Sequence, residues 1–339
     1  MSHSELNKTA GVGIIRKLNR DGLLSDDAFI AANAVLRPAS CWFKWARRIL
    51  LFLGSALILA GIIFFFAYNW AAMGRFLKFG LIEAGIVICI IASFLRGQKR
   101  LSGKVLLLSA SVLVGVLLAV YGQVYQTGAD AFELFIGWAV LILGWVIISN
   151  FAALWLLWLI LLNTSAILYW SQVGRPAHTI RFEFLCLGVA FLNGAALTLR
   201  EVGLLKGLQW LSAKWLRGIL LSASLVALSI PTIYLIVDFE GIVEVSVLTA
   251  FVWVVASVGG YVCYRFKLRD MVSLAFILMN ACIILLTLIG RILFDSTSFT
   301  DPGVYLLFAL IILGVVGGVA FWLRKTAATM AGEVKESAK

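Results

Sequence analysis

Residues 49–68 read ILLFLGSALILAGIIFFFAY, Ile49 to Tyr68, with neither a charge nor a proline. At 1.5 Å per residue such a run, wound as an α-helix, crosses the roughly 30 Å hydrocarbon core of a bilayer. A lipid-embedded segment must satisfy its own backbone N–H and C=O groups, so it is either a helix or a strand of a closed barrel. Barrel strands alternate apolar and polar positions, and this run is apolar throughout, so it is a helix. Nine further runs follow it: Phe76 to Leu95, Val105 to Tyr121, Phe132 to Ile148, Phe151 to Trp170, Phe182 to Leu199, Leu216 to Val237, Val243 to Tyr264, Met271 to Leu293 and Val304 to Leu323. The expected fold is therefore all-α, a polytopic membrane bundle of about ten spans. Only Ser149 and Asn150 separate the fourth and fifth runs, which leaves a tight helical hairpin or a single re-entrant element.

Composition agrees. With 62% hydrophobic residues and a mean hydropathy of +1.02, the chain has too little polar surface to cover a water-soluble globule of 339 residues. The net charge of +11 would suggest nucleic acid in a soluble protein. Here the excess lies in short loops beside apolar runs, where it sets topology, and no nucleic-acid partner is expected. Cys89, Cys186, Cys263 and Cys282 fall within runs and Cys41 just before the first. None has a metal-ligand or disulfide spacing, so buried inert thiols are expected, with no metal and no cofactor.

Orientation follows from the basic residues. Most of the 28 lie in the N-terminal segment, in alternate loops (Arg96, Lys99, Arg100, Lys104; Arg200, Lys206, Lys214, Arg217; Arg265, Lys267, Arg269) and at the C-terminal end. Arg75, Lys78, Arg175, Arg181 and Arg291 are left for the other side, whose loops carry Asp130, Glu133, Asp238, Glu240, Glu244, Asp295 and Asp301. Both termini are thus expected in the cytoplasm. The first 48 residues lack the apolar core of a cleavable signal, so the first span is expected to act as an uncleaved anchor.

Four segments result: 1–48, a cytoplasmic lead-in; 49–170, five spans; 171–323, five further spans; and 324–339, a cytoplasmic tail, polar and expected to be disordered from Thr326. Within the lead-in, Ile14, Ile15 and Leu18 at helical spacing, an Asp21-Gly22 break, and Ser25 before Asp26 and Asp27 predict a helical hairpin over Val12 to Leu36, ended by Pro38. It is a docking module for a protein partner or an amphipathic lead-in resting on lipid.

Polar residues in or beside the spans cluster on the non-cytoplasmic side of the first half. Asn69 closes the first span after an aromatic run; Arg75, Lys78 and Glu83 enter the second; and YGQVYQTGAD, Tyr121 to Asp130, joins the third to the fourth. On one helix Arg75 and Glu83 lie about 80° apart and roughly 12 Å along the axis, so both can face one interior. A carboxylate two turns deep costs several kcal/mol unless paired, protonated or near water. Glu83 is therefore either half of a structural ion pair, with Lys78 or a neighbouring arginine, or a proton or ion group. Gly122 to Asp130 either folds back as a polar mouth lined by Gln123, Tyr125, Gln126 and Asp130, or forms an interfacial turn.

Several of these strings together, FFAYNW ending at Trp70, Arg75-x-x-Lys78-Phe79 with Glu83 beyond, and the Tyr121–Asp130 run, resemble the bacterial membrane-protein family catalogued as domain of unknown function 2157. Leu18, Gly22, Leu24 and Ser25 resemble its N-terminal segment, so the likeness extends from roughly Leu18 to Tyr169. It implies a bacterial inner-membrane protein and supplies no activity.

In the second half, Asn163, Asn193 and Asn280 are expected to hydrogen-bond between helices, Pro231 to kink the seventh span, and Gly259, Gly260, Gly314, Gly317 and Gly318 to allow close helix contact. Two readings of function follow. The first is transport of a small solute or proton through the polar mouth, and the second is a non-transporting scaffold that recruits partners through its hairpin and outer loops. An enzyme is not expected, because His3 and His178 lie in a tail and a loop and no catalytic constellation accompanies them.

Overall fold

The structure is a computed structural model that describes residues 12–36, 39–69, 72–238, 244–295 and 302–336. Among these residues are twelve α-helices: α1 (Val12–Arg20), α2 (Asp26–Leu36), α3 (Ala39–Asn69), α4 (Arg75–Arg96), α5 (Leu101–Tyr125), α6 (Ala131–Ser149), α7 (Ala152–Tyr169), α8 (Phe182–Leu205), α9 (Lys214–Val237), α10 (Glu244–Val262), α11 (Met271–Asp295) and α12 (Pro302–Glu336). From α3 onward each is long and apolar enough to span a membrane, ten in all. The chain is a multi-pass membrane protein. It divides inside α5 into two compact units, residues 1–113 and 114–339.

In the first unit α1 and α2 pack as the expected hairpin. Gly22 (φ 70°) ends α1 in the left-handed conformation while Leu23 N–H donates to the Leu18 carbonyl at 2.9 Å, the paired signature of a Schellman stop. Ser25 Oγ accepts from Ala28 N–H at 3.3 Å and caps α2. Pro38 lies outside the described residues. Helix α3 begins at Ala39, well before the apolar run, because nothing in the segment through Trp42, Lys44 and Arg48 breaks a helix.

Helices α4 and α5 meet in a tight turn. Gly97 takes φ 79°, and Ser93 Oγ donates to the Gly103 carbonyl at 2.7 Å. A Cβ on Gly103 would stand 2.5 Å from the Gly97 carbonyl oxygen, a backbone atom that cannot step aside. Gly103→Ala is therefore expected to lower stability by about 1–3 kcal/mol, read as thermal unfolding of detergent-purified protein. Gly54→Ala on α3, where a Cβ meets nothing within 4 Å, is the neutral control. Between α3, α4 and α5 lies a cavity of about 370 Å³ whose lining, Ile58, Gly61, Ile62, Phe65, Leu81, Ile82, Gly85 and Leu113, is wholly apolar.

In the second unit α6 and α7 form an antiparallel hairpin turned on Asn150 (φ 46°) and Phe151. Trp158 Nε1 donates to the Ala139 carbonyl at 3.0 Å and Ser165 Oγ to that of Phe132 at 3.1 Å, tying the pair midway and at the end away from the turn. Two full helices replace the re-entrant alternative. Beyond them α9 is the central helix, packed against α8, α10 and α11. It buries Leu216, Leu220, Leu221, Leu225, Leu228 and Pro231, and it remains helical through that proline.

Three expectations are corrected. A Cβ at Gly259, Gly314, Gly317 or Gly318 meets no atom within 4 Å, so these glycines are not close-contact positions; Gly260 is one, 3.0 Å from the Ile277 side chain. Of the four described cysteines only Cys186 is buried, the others being half-buried. The segment after Leu323 is not an irregular tail: α12 runs on to Glu336, as the alanines at 327, 328 and 331 favour, and Thr326 is buried.

Candidate functional site

The residues singled out in the first half are placed as follows. Arg75 opens α4, exposed, with its guanidinium 5.2 Å from the Phe76 ring centre. Lys78 is buried at 8% exposure, whereas Glu83, five residues on, is exposed. Five residues turn a helix by about 140°, so the two side chains leave α4 on different faces and do not pair. Asn69 is the last residue of α3; its side chain lies outside the described set.

Gly122 to Tyr125 prove to be helix and not loop. They form the last turn of α5, where Tyr121 and Tyr125, one turn apart, bring their ring centres to 4.8 Å. Gln126 takes the left-handed conformation (φ 44°) and Thr127 N–H donates to the Gly122 carbonyl at 3.4 Å, again a Schellman stop. Asp130 begins α6 from an extended conformation. Gln123, Tyr125, Gln126 and Asp130 are all exposed.

Among the described residues the densest charged network lies in the second unit, at the end of the α8–α11 bundle that adjoins the basic loops. Its base is a local consequence of sequence. After α10 the chain makes a π-helical turn, Cys263–Lys267, and passes Arg269 at φ 49°, so that Asp270 N–H reaches the Tyr264 carbonyl at 3.1 Å. Asp270 then caps α11: its Oδ2 accepts from Ser273 N–H at 3.1 Å and from Ser273 Oγ at 2.5 Å. Arg217, on the first turn of α9, donates Nε and Nη2 to the two oxygens of Glu201 at 2.7 and 2.9 Å, a bidentate pair. Its Nη1 lies 3.4 Å from Asp270 Oδ2, and its guanidinium 5.6 Å from the centre of the buried Tyr264 ring. Arg200, 2% exposed, shares Glu201 Oε1 and donates Nη2 to the Ala213 carbonyl at 3.1 Å. Two bases and two acids thus neutralise one another across α8, α9 and α11.

Burial pushes the Asp270 carboxyl up, but the Ser273 hydrogen bonds and Arg217 outweigh it and hold the group below the usual aspartate range. A lowered folded-state pKa contributes stability above the ordinary carboxylate range, and that contribution is lost as pH falls through it to the folded value. The melting-temperature gap between wild type and Asp270→Asn is accordingly expected to hold constant near neutral pH and to close on acidification. A gap that widens in acid would refute the assignment.

Midway along the same helices Asn280 (α11) accepts from Trp253 Nε1 (α10) at 2.8 Å and donates to Ser229 Oγ (α9) at 2.8 Å. Asn163 and Asn193 exchange reciprocal amide bonds at 3.3 and 2.8 Å between α7 and α8. The interhelical role expected of these three asparagines is borne out. Towards the opposite end Ser246 Oγ donates to Glu183 at 3.1 Å, and Arg291 donates to the Ile236 and Val237 carbonyls that end α9. No three His, Cys, Asp or Glu side chains group as metal ligands among the described residues.

Sequence reading counted Arg200 and Arg217 only as topology-setting loop charges and passed over Glu201 and Asp270. The available signal was Asp270-x-x-Ser273 ahead of an apolar run, an N-cap pattern. No curated protein and no solved structure matches the chain. Residues 16–155, from the lead-in hairpin to the first turn of α7, match the family model described as a predicted membrane protein (DUF2157), the family whose likeness the first-half motifs carry.

Proposed function

We propose that this membrane protein moves a small polar solute or a proton through the α8–α11 bundle. The observation that supports this reading is the ranking of buried and half-buried polar side chains along α9 and its neighbours: Glu201, Arg217 and Asp270 at one end, Ser229, Trp253 and Asn280 midway, and Glu183 with Ser246 towards the other. Polar groups in a span are costly and mark solute or proton routes in membrane proteins. Ten residues of α11 separate Asp270 from Asn280, about 15 Å of helix, so the ranks are steps a hydrated solute can bridge. The charge bias of the loops supports a bacterial inner membrane with both termini in the cytoplasm, and the lack of a catalytic constellation in the sequence supports a non-enzymatic role.

The test is flux. Reconstituted protein should dissipate an imposed pH or solute gradient faster than empty vesicles, and Asn280→Leu should stop it. A second reading, a scaffold, is supported by the α1–α2 hairpin, which is a folded element with Leu23, Ile30 and Val35 exposed. It expects no flux from wild type, and loss of co-purifying proteins when residues 12–36 are removed while the spans still insert.

A further inference from the structure

The apolar cavity between α3, α4 and α5 lies wholly within the first unit and opens onto the surface that faces lipid. Its floor is Ile82 and Leu113, 1% and 2% exposed, whereas Ile58, Phe65 and Leu81 at its rim are 67%, 51% and 44% exposed. Glycine makes the room: a Cβ at Gly61 would meet no atom within 4 Å. An apolar cavity stays dry, and left empty it forfeits the dispersion contacts of its lining, so within a bilayer it fills with hydrocarbon. An apolar cavity of about 150 Å³ takes up one benzene, six carbons. The 370 Å³ here therefore holds roughly fifteen carbons, close to one acyl chain. A neighbouring helix is too bulky an occupant. Along the roughly 10 Å of α3 from Ile58 to Phe65, a helix 10 Å across would take up about 800 Å³, twice the space there is.

Charge narrows the choice of lipid. Arg75, Lys78, Ile82 and Gly85 follow one stripe of α4 at spacings of three, four and three residues. The stripe runs from two bases at the start of the helix down to the apolar floor, and Arg75, exposed at that start, stands about 10 Å along the axis from Ile82. Charge first and hydrocarbon below it is the order of groups in an anionic amphiphile. We infer that the cavity seats one acyl chain of an anionic glycerophospholipid whose phosphate lies beside Arg75. Glu83 does not oppose the phosphate, since it leaves α4 about 140° away from Lys78 and so off the stripe. The site is built from the first unit alone and does not rest on the transport reading.

The full chain in a mild non-ionic detergent is given equal amounts of dioleoyl-phosphatidylglycerol and dioleoyl-phosphatidylcholine, and the lipid it retains is read by native mass spectrometry. Wild type is expected to retain the anionic lipid in preference. Gly61→Leu puts a side chain into the cavity and should cut that retention by about tenfold, while thermal unfolding shows the fold intact. Gly61→Val carries the same test should the leucine variant fail to fold. Gly80→Leu is the control, since its Cβ also meets nothing within 4 Å but points to the opposite face of α4 from Ile82, and it should retain lipid as wild type does. Arg75→Gln should reduce the preference for the anionic lipid by about fivefold, the usual effect of one base near the membrane surface, and leave retention of the zwitterionic lipid unchanged. Equal retention of the two lipids by wild type, or undiminished retention in a folded Gly61→Leu or Gly61→Val protein, would overturn the proposal. So would a lipid-free dimer that Gly61→Leu dissociates, because the occupant would then be a second copy of the chain.

Discussion

Arg217→Ala is expected to destabilise the protein by about 3–5 kcal/mol, the usual effect of removing one partner from a buried charge pair. Arg217 and Glu201 are 13% and 17% exposed, so little solvent is at hand to take over the lost contacts. The variant leaves Glu201 sharing only Arg200, strips Asp270 of its arginine, and uncovers the Tyr264 ring. Arg217→Lys should recover only part of the loss, because an ammonium cannot reproduce the two parallel bonds to Glu201. Removing both charges together, Glu201→Leu with Arg217→Leu, should give no relief relative to Arg217→Ala, since it strands Arg200, which is 2% exposed and pairs with Glu201, and still leaves Asp270 without its arginine. The measurement is thermal unfolding in detergent, and an Arg217→Ala protein that melts with wild type would remove the network from the list of features holding α8, α9 and α11 together.

Asn280→Leu is the second large effect, and it separates stability from activity. The change deletes the acceptor for Trp253 Nε1 and the exchange with Ser229 while keeping the number and branching of the side-chain heavy atoms. Interhelical hydrogen bonds within a bilayer are worth about 0.6 kcal/mol on average and at most about 1.7, so the fold should survive with a modest loss. Flux, by contrast, should fall by more than about tenfold, because one leucine replaces the midway polar step in a region with a low dielectric constant. Unchanged flux in a folded Asn280→Leu protein would end the proposal that solute passes along α9.

The spans could be read from sequence because lipid imposes a single rule on each: an apolar run of sufficient length must satisfy its own backbone. The hairpin at Ser25 and the interhelical role of Asn163, Asn193 and Asn280, though not which of them pair, were legible for similar local reasons, a cap pattern and a polar group with few partners in a span. Gly122 to Tyr125 misled because glycines and amides favour a loop in water, whereas here the helix continues to the first residue that can take the left-handed stop, Gln126. The charged network was hidden for another reason. A count of basic residues sets orientation but cannot tell an arginine at a helix end that faces water from one turned inward, and the acids that turn Arg217 inward come from elsewhere in the chain, Glu201 on α8 and Asp270 at the start of α11. The last-span glycines failed because small residues permit close packing without supplying a neighbour to pack against.

The wide turn at Cys263–Lys267 has a consequence for how the chain tolerates change in length. A five-residue turn holds one residue more than an α-helical turn requires. Phe266 within it is exposed and contributes little packing, so deleting that residue can be absorbed by rewinding the turn as ordinary helix. An equal deletion in the middle of α9 would rotate every later side chain by about 100° and carry Ser229 out of reach of Asn280. The spare residue therefore acts as slack in the chain at the point where Tyr264 and Asp270 must both meet Arg217, and it lets α10 and α11 drift in length while that meeting point stays fixed.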